Sequence, residues 1–134
     1  MQDSSQAPAD SDYVEEAKAC VALNGFFGIA QQWGCDDAEQ AALLGYEDPG
    51  SLQQFKNASA LKMPASLLER ISLLFGIYHA LGTLYPSAPL ANAAIRRPRN
   101  APPFDGASPL TFMMRGNVER LRQTRRYFEA QLQG

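Results

Sequence analysis

The 134-residue sequence predicts an all-α protein, with a helix-turn-helix region in the first half packed on a helical second half. Three observations predict it. Leu67, Ile71, Leu74, Tyr78, Leu81 and Tyr85 recur at alternating steps of four and three, which is one face of a helix. Asp36 with Glu39, and Ser66 with Glu69, have the spacing of capping boxes, in which an N-cap side chain and a glutamate three residues on satisfy each other's free backbone amides. The stretch from about Asn117 to Leu132 gathers apolar side chains on one side when plotted at about 100° per residue.

In chain order, residues 1–12 are short and polar with one proline, and are expected to be disordered. A helix from Tyr13 to Trp33 follows, with Val14, Ala17, Val21, Phe27 and Trp33 as candidate core residues. Gly25 and Gly28 either weaken it or admit a close helix contact. A short helix begins at Asp36 and stops at Gly45. After the Tyr46–Gly50 loop, Ser51 is the candidate N-cap of another short helix through Lys56. The two helices outline a helix-turn-helix whose second helix offers Ser51, Gln53, Gln54, Lys56 and Asn57 to a DNA major groove. That they merely complete the fold is the alternative.

The helix from Leu67 to Tyr85 is apolar on more than one side through Leu73, Phe75 and Leu84, so it is expected to be central or part of a dimer surface. His79 on it has no carboxylate or cysteine at helical spacing and reads as a surface or boundary residue. A short helix from Pro89 to Ile95 leads into a basic loop stiffened by Pro98, Pro102 and Pro103. Phe104 is expected to enter the core, Asp105-Gly106 to turn, and Ser108-Pro109 to start a helix that Gly116 ends. On the last helix Arg125 falls inside the apolar arc of Val118, Leu121, Phe128 and Leu132, flanked by Arg122 and Arg126, so it must meet a carboxylate, carbonyls or a partner. Tyr127 points the other way, either as a contact residue or lying over its neighbours.

The net charge of −2 hides an asymmetry. Residues 1–57 hold two basic and ten acidic side chains, a net of −8; residues 58–134 hold ten basic and four acidic ones, a net of +6. The halves therefore suit different partners or attract each other between subunits. The same balance counts against DNA binding by the acidic half, since phosphate neutralisation supplies most of the affinity. A polar, acidic beginning and the lack of an apolar run of about 18 to 20 residues predict a cytoplasmic protein with no membrane partner. Cys20 and Cys35 form no CxxC pair and read as small buried or half-buried residues, with neither a disulfide nor a metal site expected. One histidine and two separated cysteines assemble no catalytic constellation, so neither an enzyme nor a cofactor is expected.

Trp33-Gly34, Ala41-Ala42-Leu43-Leu44-Gly45, Phe55-Lys56, Leu68-Glu69-Arg70-Ile71-Ser72, Gly76-Ile77-Tyr78, Arg97-Pro98, Ala101-Pro102, Phe104, Gly106, Ser108 and Arg125-Arg126-Tyr127 together resemble the Xre/MbcA/ParS antitoxin family over nearly everything from Ala19 onward. The resemblance implies a type II antitoxin, with an Xre-like helix-turn-helix region over residues 13–60 and a toxin-binding domain over residues 61–134. It implies a homodimer or higher oligomer whose partner is a RES-domain toxin that consumes NAD or uses it for ADP-ribosylation, with the toxin's NAD cleft occluded by C-terminal elements. The toxin-binding residues expected here are Arg96, Arg97, Arg99, Asn100, Arg122, Arg125, Arg126 and Tyr127. Binding to operator DNA, and a stand-alone DNA-binding regulator, remain alternatives; members that bind operators tend to carry basic residues in and beside the recognition helix, where this chain has Gln53, Gln54 and only Lys56.

Overall fold

A computed structural model describes residues 13–57 and 62–133, with the Asn57 side chain outside that set. The disorder expected of residues 1–12 and the boundary expected between residues 60 and 61 lie outside the described residues. The fold is all-α apart from one short ribbon. In chain order the elements are β1 (Tyr13–Val14), α1 (Glu16–Gln32), α2 (Asp37–Leu43), a 3-10 turn (Pro49–Leu52), α3 (Gln53–Asn57), β2 (Met63–Pro64), α4 (Ala65–Leu84), α5 (Ala88–Ala94), α6 (Pro109–Met114) and α7 (Val118–Gln133).

Helix α4 is central. Leu67, Ile71, Leu74, Ile77, Ala80 and Leu81 are buried along it. It packs most extensively on α7, then on α1, and on α5 near its C-terminal end. Glu69 meets Arg122, Gly76 meets Arg125, and Tyr85 shares Arg99 with Tyr127, so α7 runs in the same direction as α4. One continuous buried cluster draws on both halves of the chain, from Ala19 to Phe128. By length and composition α4 is long enough to cross a membrane, contrary to the expectation that no apolar run was. Its apolar stripe is instead covered by α1, α5 and α7, an arrangement compatible with a soluble protein.

Two helix ends are closed by the same device. Gly34 (φ 70°) and Gly45 (φ 93°) adopt the left-handed conformation after α1 and α2. Cys35 and Tyr46 donate back to Ala30 and Ala41, while Gly34 and Gly45 donate to Gln31 and Ala42. This nested pair of bonds satisfies carbonyls that the helix leaves open, and it favours glycine because a Cβ is disfavoured at positive φ. The stop expected at Gly45 follows from it. The capping box at Asp36 also forms, with bonds of 2.8 Å and 3.0 Å to and from Glu39.

Several expected boundaries shift for tertiary reasons. Tyr13 and Val14 pair antiparallel with Pro64 and Met63, so the first helix begins at Glu16. On it Ala17 and Val21 are exposed, Val21 by 72%, and the buried face is Ala19, Ala22, Leu23, Phe26, Ile29 and Ala30. The box expected at Ser66 and Glu69 is not formed: α4 starts directly after Pro64, and Glu69 turns to Arg122 of α7. Ser51 is not an N-cap but lies inside the 3-10 turn, which Asp48 caps by accepting from the Gly50 amide at 2.9 Å. Leu132 is exposed, outside the buried face of Leu121, Thr124 and Phe128. Cys20 is exposed rather than buried, whereas Cys35 is buried.

The two glycines of α1 differ. A Cβ on Gly25 would stand 2.6 Å from the Phe75 ring of α4, so this glycine permits the close approach of the two helices; a Cβ on Gly28 would meet nothing within 4 Å. Gly25→Ala should therefore destabilise the fold by about 1–3 kcal/mol through overpacking. Gly28→Ala should stabilise it by about 0.5–1 kcal/mol through helix propensity. Urea unfolding of both variants checks the opposite signs.

Candidate partner-binding surface

The segment between α5 and α6 is irregular yet pinned by its own backbone. The Arg99 amide donates to Ala107 at 3.2 Å, and the Gly106 amide donates back to the Arg99 carbonyl at 2.7 Å. Asp105 (φ 51°) and Gly106 (φ 97°) make the turn expected of them. Phe104 is buried, as expected, and stacks edge-on against Phe112 at 5.3 Å and Tyr127 at 4.9 Å. At the far end Ser108 caps α6 by accepting from the Thr111 amide at 3.1 Å.

The arginines expected to share one role divide into four groups. Arg96 belongs to the framework: it donates to the carbonyls of Trp33 at 2.7 Å and Gly34 at 2.8 Å, and pairs with Glu39 at 3.0 Å. Arg99 is half-buried, donating to Tyr85 Oη at 3.0 Å and Tyr127 Oη at 3.5 Å, with its guanidinium over the Phe128 ring. On α7, Arg122 pairs with Glu69 and Glu119, Arg126 with Glu119 at 3.0 Å, and Arg125 with Glu129 at 2.9 Å while it lies across Gly76. Arg125 thus finds the carboxylate that its position required. Arg97 and Asn100 are exposed and make no side-chain hydrogen bond or ion pair with another described residue.

Tyr127 does not point away from the apolar side chains. It is half-buried against Phe104 and Phe128, and with Arg126, Gln123, Pro102 and Pro103 it lines a groove of 380 Å³. This groove is where the structure brings the basic loop and α7 together. Three participants were missed by sequence reasoning: Tyr85, Glu39 and Arg115. Tyr85 and Glu39 are far in sequence from the arginines they hold, so no local signal marked them. Arg115 is exposed, has no side-chain partner among the described residues, and lines a neighbouring cleft of 560 Å³ with Arg96, Pro98 and Ser108.

The DNA-reading candidates stand apart, on the 3-10 turn and α3. Gln53 and Gln54 are exposed, and Gln54 donates to the Ser51 carbonyl at 3.0 Å. Ser51 is half-buried. Lys56 pairs with Asp37 at 3.2 Å and lies over the Phe27 ring. The Asn57 side chain is outside the described residues. The one cation of this unit is thus partly neutralised where phosphates would have to approach.

The geometry defines a small all-α protein with an irregular, arginine-bearing loop fixed beside its C-terminal helix. No protein-family model matches the chain. It is 34% identical over 120 residues to the uncharacterized protein y4oB of Sinorhizobium fredii (strain NBRC 101917 / NGR234), covering 90% of this chain and 91% of the relative. The chain belongs to the same family as that protein.

The hydrogen bond from Arg96 holds the Glu39 carboxyl below its ordinary value of 4.5. A depressed folded-state value means that Glu39 contributes stability above about pH 4.5, and that this contribution is lost as pH falls through the lowered value. The difference in melting temperature between the parent and Glu39→Gln should accordingly be largest at neutral pH and shrink on acidification. Burial, assisted by Glu39, pushes the Cys35 thiol up to about 11. Brief iodoacetamide treatment at pH 8 should alkylate exposed Cys20 and spare Cys35, giving a single mass increment in the folded protein.

Proposed function

We propose that this chain is the antitoxin of a type II toxin–antitoxin pair, which binds and neutralises a RES-domain protein that consumes NAD or uses it for ADP-ribosylation. The proposal draws on the family resemblance of the motifs between Trp33 and Tyr127. The observation that carries it is the groove in which the proline loop and α7 converge, with Arg126 and Tyr127 lining it and Arg97 exposed on the same loop. Guanidinium groups on a pre-shaped surface suit carboxylates on the rim of a dinucleotide-binding cleft, where paired charges fix orientation and speed association. The antitoxin acts as a homodimer or higher oligomer in this reading. A stand-alone DNA-binding regulator is the second reading, favoured by exposed Gln53 and Gln54 on the helix after the turn. Steeply salt-dependent binding to its own promoter without any toxin would move the assignment there.

Co-expressed with the product of the adjacent gene, the chain should purify in a stable hetero-oligomer containing a RES-domain protein. Combined Arg97→Ala and Arg126→Ala should weaken capture about tenfold, equivalent to about 1.4 kcal/mol. Thermal unfolding should hardly change, because the Arg97 side chain has no described partner and the Arg126 side chain is 63% exposed. A chain that emerges alone, or a double variant that captures normally, would refute the assignment.

A further inference from the structure

We infer that Arg99 is a positioning residue that locks the loop against α4 and α7, and that partner binding depends on it through the shape of that loop rather than through contact. The inference rests on the proposed partner surface only for its binding readout. The Arg99 backbone exchanges hydrogen bonds with Gly106 and Ala107, so it closes the loop at its base. Its side chain then anchors that base to two helices at once. One terminal nitrogen reaches Tyr85 Oη at the end of α4, the other Tyr127 Oη on α7, and the guanidinium lies 5.7 Å and 5.2 Å from the Tyr127 and Phe128 ring centroids. Phe104, from the same loop, packs against the same two rings.

The geometry is specific to arginine. A planar fork can hold two separated phenols in a fixed geometry while lying flat over rings, whereas a lysine ammonium is a compact charge with no plane and no fixed pair of donors. The Arg99 Nε is buried without an acceptor, so the placement of the two terminal nitrogens is kept despite an orphaned donor. Held this way, the loop sets Pro102 and Pro103 against Tyr127 and Arg126, which together form the groove. A partner then meets a surface already ordered, and less entropy is lost on binding.

The test measures two quantities for Arg99→Lys, Tyr85→Phe and the contact control Arg97→Ala: amide hydrogen exchange of Gly106 in the free chain, and capture of the RES-domain protein encoded beside it. Arg99→Lys should speed Gly106 exchange and weaken capture, each about tenfold, with exchange at Leu74 of α4 unchanged. Tyr85→Phe should act in the same direction to a smaller extent, which guards against a folding defect in the first variant. Arg97→Ala should weaken capture with Gly106 exchange at the parent rate. Loss of capture in Arg99→Lys without faster Gly106 exchange would make Arg99 a direct contact and overturn the inference, as would unchanged exchange and capture together. If the parent captures no RES-domain protein, the proposed function fails while Gly106 exchange still decides whether Arg99 holds the loop.

Discussion

Helix α4 is apolar on more than one side, and its buried stripe requires other helices packed against it. That requirement organises the rest. α1 and α7 both lie along it, and α7 runs in the same direction, so the chain has to return from the end of α4 to its beginning before α7 can start. α5, the irregular loop and α6 make that return. A parallel neighbour demands a long connection, as in helical bundles with crossover links. The basic, proline-bearing loop is therefore part of the architecture as well as its most distinctive surface feature.

Arginine holds this arrangement at its joints. Arg96 reaches back to the carbonyls at the end of α1, and Arg70 of α4 reaches the Leu43 carbonyl at the end of α2 at 3.0 Å. Both ends carry the partial negative charge of a helix C-terminus, which a guanidinium complements while satisfying open acceptors. Each lies beside a left-handed glycine, where the absence of a side chain leaves room; a Cβ on Gly45 would stand 3.3 Å from the Arg70 guanidinium. Much of the positive charge of the second half is thus internal bracing. What is left over, chiefly Arg97 and Arg115 together with the exposed head of Arg126, is a small and localised set on which recognition can act.

The candidate site was legible in outline. Phe104 as a core residue, the Asp105-Gly106 turn and the Ser108-Pro109 helix start are local signals, and each appears in the fold because its physics involves only neighbouring residues. Arg125 could be recognised as needing a partner, since its wheel position put a charge among apolar side chains. The division of labour among the arginines was not legible. Arg96 and Arg97 are adjacent in sequence and identical in chemistry, yet one guanidinium braces two elements of the other half and the other has no described partner.

By itself, the sequence determined the helical class, the central apolar helix, the stop at Gly45 and the position of the irregular basic loop. These follow from periodicity, capping and turn chemistry, all of which act over a few residues. Tertiary structure alone decided that Tyr13 and Val14 pair with Met63 and Pro64, that Glu69 serves Arg122 instead of a cap, and which guanidinium groups are occupied. Each of those outcomes depends on groups tens of residues apart, and which long side chain finds which acceptor is settled only when the packed helices bring them within hydrogen-bond reach.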